Sequence, residues 1–154
     1  MSSEAQLSIT PELAEKIRAH GVETYPHECC GALLGKDGEI SGRQVCREIH
    51  GLFPLVNRRD DSPQNRFSLT PEDVREAEKV AAQKSLEVVG WYHSHPDHPA
   101  SPSTYDRDHA WPWYSYIIVS IANKVPENMT SWRLADDRSE FQCEDIVLRN
   151  QAAR

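Results

Sequence analysis

The sequence predicts an α/β fold: a mixed β-sheet sandwiched by helices. Three observations lead there. The same helix-start signal occurs twice, at Thr10-Pro11-Glu12 and Thr70-Pro71-Glu72. Short apolar runs alternate with those starts, and YSYIIVSI at 114–121 is the most strand-like of them. The chain has 154 residues, enough to bury a core without disulfide or metal staples. Strands interleaved with a few helices pack as layered α/β domains. One domain over residues 1–154 is the simplest division of this length.

The elements follow in order. Thr10 offers a hydroxyl cap, Pro11 suits the first turn, and Glu12 lies near the positive end of the helix dipole. Leu13, Ile17 and His20 share one face, and Gly21 is expected to end the helix. ECCGALLGK at 28–36 reads as a buried strand, and Asp37-Gly38 as the hairpin into a second strand over 40–56. NRRDDSPQNR at 57–66 is a polar loop, and RFSL at 66–69 a short strand. The helix from Thr70 carries a stripe of Val74, Ala77 and Ala81. LEVVGWYHSH at 86–95 is a strand. PDHPASP holds three prolines in seven residues and is expected to be irregular. STYDRDHAW is a short helix, and SWRLADD with EFQCEDIVL a strand pair around Asp136-Asp137.

Composition excludes several classes of function. With 24 acidic and 17 basic residues the net charge is −7, which argues against a cationic nucleic-acid surface. Arg58-Arg59, the only adjacent Arg/Lys pair, reads as part of a charged loop. The four cysteines, Cys29, Cys30, Cys46 and Cys143, form no C-x-x-C pair, so a zinc ribbon is not expected. A bridge between neighbours Cys29 and Cys30 would be strained. Reduced, mostly buried thiols fit a cytoplasmic protein. MSSEAQLSITPELAEK has no basic start and no long apolar core, so no signal peptide is expected. No apolar run approaches the roughly 20 residues of a membrane helix.

Chemistry concentrates in GWYHSHPDHPASPSTYD at 90–106. Side chains alternate along a strand, so His93 and His95 point to one face, within reach of one metal ion. Imidazole suits zinc, and a catalytic zinc takes three protein ligands and keeps one place open. Asp106 is the candidate third ligand, because the Pro-rich loop can return the chain to the histidines. Ser103-Thr104-Tyr105-Asp106 also has the S-x-x-D form of a capping box, and alone it reads as a cap. The conjunction H-x-H-x7-S-x-x-D should arise by chance on the order of once in a few thousand chains of this size. A carboxylate base would complete the site. Among 24 acids, Glu28 stands out because it opens a buried apolar strand, where an unpaired carboxylate is costly. The other reading leaves Glu28 at an exposed strand start.

HSHPDHPASPSTYD, with the upstream Glu in PHECCGALLG, resembles the JAMM (MPN-plus) zinc metallopeptidases. Glu28, His93, Ser94, His95, Ser103 and Asp106 match every position of that signature. The resemblance spans roughly residues 8–148 and implies an α/β sandwich related to cytidine deaminases. It implies that His93, His95 and Asp106 hold one Zn2+ per chain. It makes Glu28 the general base and later the acid, and gives Ser103 a hydrogen bond to the attacking water or the developing oxyanion. Ser94 becomes structural. Short stand-alone members resemble enzymes acting on ubiquitin-fold or sulfur-carrier-like protein partners. The bond cut would follow a C-terminal Gly-Gly, and the tail would pair with a sheet edge at 57–69.

Rival readings are weaker. HECCG is not H-E-x-x-H, since Gly31 stands where the second His belongs. The deaminase pattern H-x-E with P-C-x-x-C is absent. The DNA-repair-associated branch carries Asn where this chain has Ser94. A non-catalytic module that binds a ubiquitin-fold protein through a structural zinc is the alternative function, yet silent relatives lack parts of the signature and this chain lacks none. His98 and His109 read as solvated, Cys29 and Cys30 as buried strand residues. Trp91, Trp111, Trp113 and Trp132 read as core, with a substrate groove as the other possibility.

Overall fold

The computed structural model describes residues 5–40, 44–56 and 69–150. Among the described residues, seven strands and three helices run in the order β1 (Gln6–Ile9), α1 (Pro11–Thr24), β2 (Cys30–Ile40), β3 (Gln44–Leu55), α2 (Pro71–Gln83), β4 (Glu87–Pro96), α3 (Thr104–His109), β5 (Ser115–Ala122), β6 (Val125–Leu134) and β7 (Phe141–Leu148). The sheet is mixed. Pairs β1–β3, β1–β7 and β4–β5 are parallel and the others antiparallel. It also closes on itself, in the order β1-β3-β2-β4-β5-β6-β7 and back to β1.

Closure places α1 inside the curl. One apolar cluster joins Ala14 and Ile17 of α1 to residues of all seven strands, among them Leu7, Leu33, Ile49, Val89, Val119, Met129 and Ile146. Burying one such side chain fully is worth about 1.5–3 kcal/mol. A second cluster lies on the outer face, where Ala77 and Ala81 of α2 pack over Ala32, Leu34 and Trp91. The two helices thus cover opposite faces of one sheet, as the alternating patterns predict.

Both Thr-Pro-Glu signals start helices. The Thr10 hydroxyl accepts from Leu13 N–H at 3.2 Å, and Thr70 forms a reciprocal capping box with Asp73. Gly21 does not end α1, which continues to Thr24. It is buried, and an added Cβ would lie 2.9 Å from Ile121 Cγ1. Gly21 therefore marks close approach of the helix to β5 rather than a cap. Asp37-Gly38 is not a hairpin turn either. It lies within β2, where Asp37 pairs with Arg47 of β3 and accepts its Nε–H at 2.8 Å. The connection from Ile40 to Gln44 falls at 41–43, outside the described residues. So does most of the loop and short strand expected over 57–69.

Candidate active site

The site lies on the outer face, where β4 ends. Along β4, Tyr92 and Ser94 turn inward while Trp91, His93 and His95 turn outward, and all five are buried. The strand then gives way to the Pro-rich loop, which three side chains anchor. His95 Nδ1 lies 2.8 Å from Pro99 O, Ser120 Oγ donates to His98 O at 2.6 Å, and Thr130 Oγ1 donates to Ala100 O at 2.6 Å. With Nδ1–H donated to Pro99, the lone pair of His95 sits on Nε2.

Helix α3 brings Asp106 to the histidines. His93 Nε2 lies 3.2 Å from His95 Nε2 and 3.3 Å from Asp106 Oδ1, and His95 Nε2 lies 3.1 Å from Asp106 Oδ2. The candidate ligand atoms of the three residues all lie within 4.8 Å of one another, an arrangement able to hold a metal ion. Burial pushes the Asp106 carboxyl upward. While both imidazoles carry protons, the neighbouring His93, hydrogen bonds from both histidines and the Ser103 amide outweigh that, and the carboxyl sits well below the usual range.

The cap and site readings of Ser103-x-x-Asp106 describe the same atoms. Ser103 Oγ accepts from Asp106 N–H at 3.0 Å, and Ser103 N–H donates to Asp106 Oδ2 at 2.9 Å. The capping box thereby aims the carboxylate. Ser103 is exposed, and its hydroxyl proton is left to donate.

Glu28 is 4% exposed, so it is not a solvated strand start. Cys30 pairs with His93 across β2 and β4, and Ser94 N–H donates to Cys29 O at 3.3 Å. Continued by two residues, this register sets Glu28 beside His95, on the face that carries the histidines. Ser94 supports that step from the opposite face. It is fully buried, and its Oγ accepts from Cys29 N–H at 2.9 Å. The segment before Glu28 is tied as well: Tyr25 Oη donates to Asp97 Oδ2 at 2.7 Å.

A cavity of about 400 Å³ opens beside the cluster, with His93 and Asp106 in its wall and Tyr105, Trp111, Tyr116 and Phe141 around it. Trp91 is core, as expected. Trp111 and Trp113 are not: they are 64% and 47% exposed. Trp113 has φ of 85°, its carbonyl accepts from Arg47 Nη1 at 2.7 Å, and its half-exposed ring covers the Arg47 guanidinium, whose Cζ lies 4.3 Å from the ring centroid. A tryptophan-rich linker between a helix and a strand looks like core in a sequence, because exposure depends on which backbone atoms are pinned. His98 and His109 are exposed, and His109 stacks on Tyr105 at 4.0 Å. Cys29, Cys30 and Cys46 are buried, and burial pushes the Cys29 thiol up to about 12, so it is no thiolate nucleophile.

Residues 10–135 match the family model for prokaryotic homologs of the JAB domain. Among curated proteins, the chain is 30% identical over 121 residues to a desampylase of Haloferax volcanii, covering 75% of this chain and 81% of that protein. It is 31% identical over 106 residues to a probable TtuB-protein conjugate cleaving protease of Thermus thermophilus, covering 69% and 64%. Of two other curated relatives the chain spans 41% and 38% of the length. The solution structure of a Salinibacter ruber protein is similar at 42% identity and a TM-score of 0.70, covering 96% of this chain and 94% of that one.

Proposed function

This chain belongs to the prokaryotic homologs of the JAB domain, and from that membership we propose that it is a zinc-dependent isopeptidase. It hydrolyses the bond after the C-terminal Gly-Gly of a ubiquitin-fold or sulfur-carrier-like protein. The observation that carries the reading is the convergence of His93, His95 and Asp106 with buried Glu28 set beside them. The ligand spacings support zinc. Bonds of about 2.0–2.1 Å in a tetrahedron set neighbouring ligands about 3.3 Å apart, close to the 3.2 Å between the two imidazole Nε2 atoms; one ligand atom from each of the three residues falls within 4.8 Å of the others. Two imidazoles and one carboxylate are also a donor set of catalytic rather than structural zinc, since one position stays open.

Held by His93, His95 and Asp106, zinc would supply an acidified water and polarise the scissile carbonyl. The chain supplies the remainder. Glu28 takes the proton from the attacking water and returns it to the leaving amine, general acid–base work worth about 10²–10⁴-fold. Ser103 Oγ–H donates to the oxygen on which negative charge develops. His95 keeps Nε2 free of a proton by donating Nδ1–H to Pro99 O. The extended tail of the partner pairs with a sheet edge near 57–69, most of which falls outside the described residues. The relatives' activities, a desampylase and a conjugate-cleaving protease, support an enzyme over a silent binding module.

Incubating the protein with sulfur-carrier fusions from its own source tests the reading. The expected result is zinc-dependent release after Gly-Gly, seen by mass spectrometry. Its loss should accompany loss of zinc in a His93→Ala, His95→Ala double variant. Intact fusions under full zinc occupancy would leave the silent binding module as the better account.

A further inference from the structure

Helix α3 has only six residues, yet it carries a member of the metal cluster, Asp106, whose side chain is 10% exposed. So short a helix has no stability of its own. Its N-terminal end is closed by a capping box that uses the Asp106 carboxylate itself, so the cap aims that carboxylate only while the helix is formed. Its C-terminal end leaves carbonyls that need donors.

Those donors come from the opposite side of the cavity. Arg138 lies in the turn between β6 and β7, where its N–H donates to Ala135 O at 2.8 Å, and Ser139 N–H donates to Asp137 Oδ1 at 3.0 Å. From this fixed base Nη1 donates to Ala110 O at 2.7 Å, and Nη2 lies 3.4 Å from both Arg107 O and Asp108 O. Arg138 has φ of 64°, an uncommon conformation for a residue other than glycine. A planar guanidinium spans three carbonyls where a lysine ammonium cannot, and a cation suits the negative end of a helix.

We propose that Arg138 is a positioning residue for the metal cluster: it clamps the C-terminal end of α3 to the β6–β7 turn and so fixes Asp106 against His93 and His95. The inference rests on the metal reading of that cluster. It extends the site to a turn 32 residues beyond Asp106, whose Arg138 also lines the cavity beside the cluster.

The test compares Arg138→Met, which keeps the apolar stem and removes every donor, with Arg138→Lys. Zinc affinity is measured by chelator competition. Amide exchange at Arg107 and Ala110 is followed in metal-free protein. Losing a supporting partner typically weakens metal binding about 10–100-fold, and the methionine variant should fall in that range. The lysine variant should fall between it and the parent, at least about threefold weaker than the parent, because it reaches fewer carbonyls. Exchange at α3 should quicken in both while the urea midpoint of the whole protein moves little. Parental zinc affinity in the methionine variant overturns the proposal, whatever the exchange shows. If that variant does not fold, parental affinity in the lysine variant overturns it instead. If the parent itself binds no zinc, the metal reading fails, and unchanged exchange at α3 then disposes of the clamp as well.

Discussion

Glu28 and Ser94 show how much at this site depends on single atoms. Glu28→Gln keeps the shape of the side chain and removes its basicity. Turnover of a Gly-Gly fusion should fall by about 10²–10⁴-fold while zinc content, read by elemental analysis, stays at one per chain. Parental turnover would remove Glu28 from the mechanism. Ser94 acts through the backbone. Its Oγ accepts from Cys29 N–H inside the protein, so Ser94→Ala leaves a buried donor unmet. Stability should drop by about 1–3 kcal/mol in urea denaturation, and turnover should fall further than the folded fraction explains, since Cys29 directly follows Glu28 in the chain. The meeting of His93 and His95 was legible in the sequence because strand alternation alone puts them on one face. The role of Ser94 was not, because no spacing rule says which backbone amide a serine meets.

Elements were legible where the signal was local. Both capped helices, the β4 strand and the short α3 all carry their own start signals within a few residues. Strand β1 was missed: it has four residues, and its partners β3 and β7 lie some 40 and 139 positions onward. The first half of β6 was missed because it is largely exposed and shows no apolar alternation. Helix α1 carries a pH-dependent contact of its own. His20 Nδ1 lies 2.8 Å from Tyr92 Oη. Burial pulls the His20 imidazole below its ordinary value, with Glu23 opposing, and burial raises the Tyr92 hydroxyl so that it stays protonated and donates. A histidine whose folded pKa is depressed contributes stability in full above its unfolded value of about 6.5. That contribution is lost as pH falls through the lower folded value. Between about pH 7.5 and pH 5 the urea midpoint of the parent should therefore fall more than that of His20→Gln. Equal slopes would mean that the contact does not contribute.

At the scale of the molecule, the ring is held by polar ties as well as by its core. Arg47 is fully buried and bonds Asp37, Val89 O, Trp113 O and Ser115 Oγ, while Glu144 accepts from Ser115, Ser131 and Arg133. These contacts join β2 through β7 without touching the metal cluster. Arg47→Met should destabilise the protein by about 3–5 kcal/mol, because it leaves partners buried and unmet. Thermal denaturation would show it, and an unchanged midpoint would mean that the network is dispensable. The proposed metal site, by contrast, sits on a scaffold complete without the ion. Chelation should stop cleavage while far-ultraviolet circular dichroism stays near native, and collapse of the spectrum would favour a structural zinc.

Of the described strands β1 is made first, and its second edge is paired last. Its partner in β3 is made some 40 residues later, and its partner in β7 ends at Leu148. A nascent chain can assemble the β2–β3 hairpin and the β4–β6 strands as they emerge, but the seam between β1 and β7 waits until β7 has cleared the ribosome. Until then β1 and β6 each present an open edge, and open edges take up strands from other chains. Ribosomes stalled before residue 141 would therefore release a protein that already holds His93, His95 and Asp106, lacks the strand that completes the ring, and is sticky for that reason alone.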